Sequence, residues 1–194
     1  MNEEPAGSMT PELLAMDMAF SQRIVARSGQ PVLSCYGCRK CAAGCPTAYA
    51  MDYDPAQIVH LVQLGGRAEL LAGRAIWLCV GCETCGTRCP NGICVGRIND
   101  ALKEAALAAG VQPGEPAIYH FHHSFLNSIR RFGRAHEVSM LVEYKLRVGN
   151  LLADLYLGFR LLLAGKLPLW PQWTRDRRQV AALFKLAGKG QEET

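Results

Sequence analysis

The same cysteine spacing occurs twice in this chain, and each copy ends in a proline. Both copies read Cys-x-x-Cys-x-x-Cys-x-x-x-Cys-Pro, the first over residues 35–46 and the second over residues 79–90. Three cysteines at this spacing need a tightly turning backbone, which the glycines within the runs allow, and their thiolates can then point into one cavity. The proline fixes its own φ, so the chain leaves each site in a defined direction. The doubled run therefore predicts two thiolate-bound centres.

Bacterial two-cluster ferredoxins use the same spacing, and there the first three cysteines of a run bind one [4Fe–4S] cluster while the fourth binds the other. On that pattern the first cluster is expected at Cys35, Cys38, Cys41 and Cys89. The second cluster is expected at Cys79, Cys82, Cys85 and Cys45. Ligation of each cluster by the four cysteines of a single run remains the alternative, since the spacing alone leaves it open.

Two other uses of clustered cysteines fit the chain less well. A disulfide framework would need a secreted chain, but residues 1–11 contain Glu3 and Glu4 and no apolar core, so we expect no signal peptide. Structural zinc sites usually take separated pairs of cysteines. A structural zinc or adaptor protein without redox function is kept as a competing hypothesis. Nine cysteines in a chain without an export signal favour a reducing, cytoplasmic location.

The residue pattern predicts an all-α fold, because valine, isoleucine and threonine do not alternate in strand-like runs. Capping and apolar patterns predict helices over residues 10–29, 54–64, 68–71, 98–110, 118–132, 134–148, 151–164 and 178–186. Asp54 and Gln57 are expected to form a capping box at the start of the second of these helices. Between these, residues 76–78 form an apolar approach to the second run, and residues 165–171 are expected to be extended. Three parts follow: an N-terminal helical segment (1–29), a two-cluster domain (30–112) and a helical C-terminal extension (113–194).

The C-terminal extension is the basic part of the chain and has no cysteine. Residues 117–194 hold twelve Lys and Arg against six Asp and Glu. We interpret Arg130, Arg131 and Arg134 as a docking surface for a partner subunit, with a phosphate site as the alternative, and we expect no nucleic-acid binding. The leucine-rich residues 151–164 are too few and too charged to span a bilayer. Packing against a partner or core is favoured over contact with a membrane surface, which stays the alternative.

Some residues suggest chemistry but have simpler interpretations. Cys94, outside both runs, is expected to be a buried free thiol, and Trp77 is expected to pack in the core. Three histidines stand close together, at His120, His122 and His123. They have no neighbouring acid or cysteine, so a solvated or interface position is favoured over a metal site. Three cations lie within the runs, at Arg39, Lys40 and Arg88. They would either raise cluster potentials or form a solvated or docking face.

The two cysteine segments, residues 35–41 and 76–85, resemble the C-type iron–sulfur subunit of heterodisulfide reductases, and so does the intervening segment 54–65. Residues 125–134 and 165–168 resemble the extended bacterial versions of this subunit, including those of the heterodisulfide reductase-like complexes of sulfur-oxidising bacteria.

This resemblance implies an α-helical ferredoxin with two [4Fe–4S] clusters. It also implies a non-catalytic redox component of an oxidoreductase complex. Electrons would pass between an A-type subunit, which bears flavin and clusters, and a cysteine-rich B-type subunit that performs disulfide or sulfur chemistry. The chain has no Cys-Cys-Gly motif and no Gly-x-Gly-x-x-Gly turn, so we expect no substrate site in it. The iron–sulfur subunit of an anaerobic glycerol-3-phosphate or glycolate dehydrogenase is the alternative.

Overall fold

The computed structural model of the chain describes residues 17–149, 160, 163–164 and 174–192, and within these ranges it contains helices and no strands. The helices are α1 (Met18–Ser28), α2 (Lys40–Ala43), α3 (Pro55–Leu64), α4 (Arg67–Ala72), α5 (Ala75–Leu78), α6 (Thr84–Arg88), α7 (Val95–Ala108), α8 (Pro116–Phe132), α9 (Glu137–Val148) and α10 (Arg177–Glu192). Short 3₁₀ turns lie at Val32–Ser34 and Ala48–Ala50. The all-α prediction is confirmed.

Some predicted elements lie outside the described residues. These are the helix start at Thr10, most of the helix over 151–164 and the extended segment 165–171. The chain divides into two compact units, Met1–Glu115 and Pro116–Thr194. Docking by the C-terminal extension stays a prediction.

Helix α7 organises the first unit, since it contacts α1, α3, α4, α5 and α6. Its residues Ile98 and Leu102 are completely buried, four positions apart on one helix face. Phe20 and Ile24 of α1 are buried with the same spacing. Burying each such side chain contributes about 1.5–3 kcal/mol. This core supports the short helices α4 and α5, which lead the chain into the second cysteine run.

The junction of α1 and α3 is closed by backbone contacts. Gly65 ends α3 in a left-handed conformation, with φ +72°. Its carbonyl accepts a hydrogen bond from the Asp17 amide at 3.0 Å, and the Asp17 side chain in turn caps α1 by accepting from the Phe20 amide at 2.8 Å. The start of α3 has the predicted capping box, formed by Asp54 and Gln57. Helix α3 is therefore fixed at both ends.

In the second unit, α8 packs against α9 and α10. Ser124 and Ser128 of α8 are buried, at 0% and 2% exposure. The Ser128 hydroxyl accepts a hydrogen bond from the His136 amide at 2.8 Å. His136 then caps α9 through its Nδ1, which accepts from the Ser139 amide at 3.3 Å. This cap explains why α9 begins at Glu137, three residues later than the predicted start at Arg134.

Candidate metal centre

The two cysteine runs share the same backbone conformation at their first, third and fifth residues. The first cysteine of each run is extended, with ψ of 126° at Cys35 and 118° at Cys79. The third residue is a glycine with positive φ in both runs, and Gly37 donates its amide to the Cys35 sulfur at 3.4 Å. The local fold therefore presents the first cysteines of both runs in the same way.

The fifth residue of each run is left-handed although it is not glycine. Arg39 has φ +58° and Glu83 has φ +56°, and no other non-glycine residue in the described ranges has positive φ. Such a residue costs about 1–2 kcal/mol in backbone strain. Strain of this kind persists where surrounding structure enforces it, and it concentrates at functional sites. In both runs the left-handed residue immediately precedes the short helix that carries the third cysteine, α2 in the first run and α6 in the second.

A cavity in the first unit is lined by four of the predicted ligands. These are Cys35, Cys38, Cys41 and Cys89, three from the first run and the last from the second. The apolar side chains of Ala56 and Val59, on α3, line the same cavity. Thiols around a pocket with an apolar wall suit a cluster that is partly shielded from water, so the residues present fit such a group.

The second predicted set is Cys79, Cys82, Cys85 and Cys45. Helices α2 and α6 pack against each other, which brings the end of α2, and Cys45 just after it, beside the second run. The Cys45 sulfur lies 3.5 Å from the Thr47 hydroxyl oxygen. All nine cysteines are free thiols. The assignment of single cysteines to each cluster stays a prediction.

Hydrogen bonds between distant residues hold the runs in place, and sequence analysis missed them. Asn91, just after the second run, donates its side-chain amide to the Ser34 carbonyl, just before the first. Asp52 accepts the backbone amides of Arg74 at 2.7 Å and Ala75 at 2.8 Å. The Asn91 bond ties the end of the second run to the start of the first, and Asp52 fixes the start of α5, which leads to the second run. No local sequence signal identifies Ser34 as the partner of Asn91, or Arg74 and Ala75 as the partners of Asp52.

Burial and hydrogen bonding change the acidity of the thiols. Partial burial raises the pKa of Cys41 and of Cys85 above the ordinary range. The backbone amides at residues 95–96, in the first turn of α7, point to the Cys85 sulfur and oppose that effect. The Thr84 hydroxyl lowers the pKa of Cys82 by a hydrogen bond. Amide and hydroxyl donors of this kind favour the thiolate and tune the potential of a bound cluster.

Each run exposes its second cysteine to solvent, Cys38 in the first and Cys82 in the second. Large apolar side chains lie exposed beside both: Tyr36 is 75% exposed in the first run and Val80 is 64% exposed in the second. The thiol nearest to solvent in each run is thus bordered by apolar surface. Such surface is typical of contact sites for other proteins.

The sequence analysis expected Cys94 and Trp77 to be buried and the clustered histidines to lie at a solvated or interface position. Cys94 and Trp77 are buried, at 8% and 3% exposure. His122 and His123 are exposed, and the His123 ring nitrogen lies 3.9 Å from the Glu143 carboxylate. In the described part of the chain, no three or more His, Cys, Asp or Glu side chains converge closely enough to hold a single metal ion.

Residues 31–93 match a family model described as a 4Fe-4S dicluster domain, and all eight cysteines of the two runs fall within the match. This part of the chain is a dicluster domain whose cofactors are two [4Fe–4S] clusters, and the protein is an electron-transfer iron–sulfur protein. No curated protein matches the chain. No helix among the described residues is both long and apolar enough to cross a membrane.

Proposed function

We propose that this chain is the electron-relay component of a heterodisulfide reductase-like complex. Its partners would be an A-type subunit with flavin and iron–sulfur centres, and a cysteine-rich B-type subunit that performs disulfide or sulfur chemistry. When bound, the two clusters supply one-electron transfer, and the protein's own residues hold the clusters and meet the partners. We further propose a cytoplasmic location, which the nine free thiols support.

The observation that carries the proposal is the exposed cysteine in each of the two runs. A relay needs one point where electrons enter and another where they leave. Cys38 and Cys82 each provide a solvent-facing ligand position bordered by apolar surface. The runs differ at the left-handed position, where the first has Arg39 in an ion pair with Asp54 and the second has Glu83. Two such faces with different polar residues support contact with two different partners.

The second unit offers a surface for docking. A groove between α8 and α9 is lined by apolar Val142 and Leu146, which are 52% and 60% exposed, and by the cations Arg130 and Arg131. Exposed apolar side chains with a charged rim are typical of protein contact sites. We propose that another protein of the complex occupies this groove, in accordance with the basic charge of residues 117–194.

Anaerobic co-purification tests the proposal. The tagged protein is purified with its bound partners, which are then identified together with its iron content. Recovery of a cysteine-rich B-type subunit is the expected result. Recovery of a glycerol-3-phosphate or glycolate dehydrogenase would instead favour the alternative complex. Zinc in place of iron, or a brown absorbance that dithionite does not bleach, would contradict the relay function.

A matched pair of variants tests the groove. Leu146→Asp is expected to release the partner while the iron content of the chain stays unchanged, because the substitution lies in the second unit. Leu183→Asp is the control, since Leu183 is 64% exposed and lies on α10, outside the groove. Equal loss of partner in both variants, or no loss in either, would count against the groove as the docking site.

A further inference from the structure

The residue before the fourth cysteine differs between the two runs, and the two positions meet in space. The first run has Gly44 there and the second has Arg88. A Cβ atom added to Gly44 would lie 2.6 Å from Cδ, 2.7 Å from Nε and 2.8 Å from Cζ of Arg88. The Arg88 side chain therefore fills the space that any side chain at position 44 would need. We call this contact between the ends of α2 and α6 the seam, and a side chain at position 44 would displace the Arg88 side chain from it.

The backbone does not explain the glycine. Gly44 has φ −104° and ψ −1°, a right-handed conformation with negative φ that does not require glycine. In contrast, Gly37 and Gly81 have positive φ, which favours glycine. The backbone thus allows a side chain at position 44, but such a side chain would require the end of the flexible Arg88 side chain to move.

The Arg88 guanidinium places a positive charge at this seam. Among the described acidic residues none forms an ion pair with Arg88. The side chain belongs to the residue before Cys89 and lies across the residue before Cys45. Those two cysteines are the predicted crossover ligands. Negative charge from bound thiolates of both clusters would therefore face the same cation.

We propose that Arg88 tunes the reduction potentials of the cluster pair, because its side chain lies across Gly44 where its charge acts on both clusters. One electron from an external donor would add one negative charge to a bound cluster. A nearby cation stabilises that reduced form and raises the reduction potential. It also screens the repulsion between two reduced clusters. The proposal rests on the dicluster function, and it concerns the isolated chain rather than its partners.

Potentiometric titration of the isolated holoprotein, followed by paramagnetic resonance, tests the role of the charge. Arg88→Gln is expected to lower both potentials by at least about 28 mV, which is a threefold change in the ratio of reduced to oxidised cluster for a one-electron couple. Arg88→Lys, which keeps the charge, is expected to shift them less. Arg67→Gln removes the same charge from α4, outside both runs, and is expected to leave the potentials unchanged. Unchanged potentials in Arg88→Gln with full iron content would overturn the proposal.

Exchange of the two residues separates charge from packing. The double variant Gly44→Arg with Arg88→Gly moves the arginine to the equivalent position of the other run. The exchanged protein is expected to bind both clusters. Its potentials should differ from those of the unsubstituted protein by no more than those of Arg88→Lys do. An exchanged protein that fails to load clusters, or that loads them with potentials as low as those of Arg88→Gln, would overturn the proposal. Partner co-purification is a separate measurement, so failure here leaves the proposed complex unaffected.

Discussion

Replacement of Gly65 by alanine is expected to open the junction between α1 and α3. Its φ of +72° costs a non-glycine residue about 1–2 kcal/mol. A Cβ there would also lie 2.5 Å from the Asp17 carbonyl oxygen and 2.8 Å from its nitrogen, so the backbone must move. That movement breaks the 3.0 Å hydrogen bond between Asp17 and Gly65 and disturbs the cap of α1, each contributing about 1 kcal/mol. The expected loss in the free energy of unfolding is about 3–4 kcal/mol.

Gly29→Ala is the matched control for this prediction. Gly29 also ends a helix with positive φ, at +62°, but a Cβ there would meet nothing within 4 Å. It is expected to cost only the backbone strain, about 1–2 kcal/mol. Denaturant unfolding of the two variants then isolates the clash with Asp17. Equal losses would refute the argument that close packing, rather than φ alone, requires glycine at position 65.

Asp52→Ala is expected to destabilise the first unit by about 1–2 kcal/mol, as for loss of a helix cap, because the amides that begin α5 lose their acceptor. Denaturant unfolding measures this loss, and Asp100→Ala, at an exposed position, is the control. Identical unfolding curves for the two variants would contradict the prediction. The free energy of unfolding of the second unit is expected to decrease as the pH falls below about 6.5. Burial lowers the pKa of His123. Burial alone would raise the pKa of Glu143, but hydrogen bonds from Asn127 and Arg147 outweigh it and lower that pKa. Both groups then bind protons more readily in the unfolded chain, so acid favours unfolding. The protection factors of amides in α8 and α9, corrected for the intrinsic pH dependence of exchange, should fall as the pH is lowered from about 7 to about 4, and constant protection factors would argue against this.

Features that depend on local sequence could be predicted well. The capping box at Asp54 and Gln57 forms as expected, with the backbone nitrogen of Gln57 2.9 Å from the Asp54 carboxylate. Glycines at 29, 65 and 149 end helices in left-handed conformation. The cysteine spacing identified the candidate centre itself. In each case the residues that determine the structure lie within a few positions of one another.

Features that depend on distant residues could not be predicted. The bond from Asn91 to Ser34 joins residues 57 positions apart, and no periodic pattern marks it. The contact of Gly44 with Arg88 becomes visible only when the two runs are packed together. Neither the left-handed conformation of Arg39 nor that of Glu83 has a signal in residue type, since neither residue favours positive φ. Tertiary packing decides all of these.

The crossover of the fourth cysteines is the central structural claim, and paired alanine variants test it most directly. Crossover predicts that Cys45→Ala and Cys82→Ala damage the same cluster, so the double variant keeps one intact [4Fe–4S] cluster. It also predicts that Cys89→Ala with Cys82→Ala damages both. Ligation within each run predicts the reverse. Reduced-cluster spins per protein, counted by paramagnetic resonance, distinguish the two. One remaining cluster in the Cys45 pair and none in the Cys89 pair is the expected result; the opposite pattern would contradict the account.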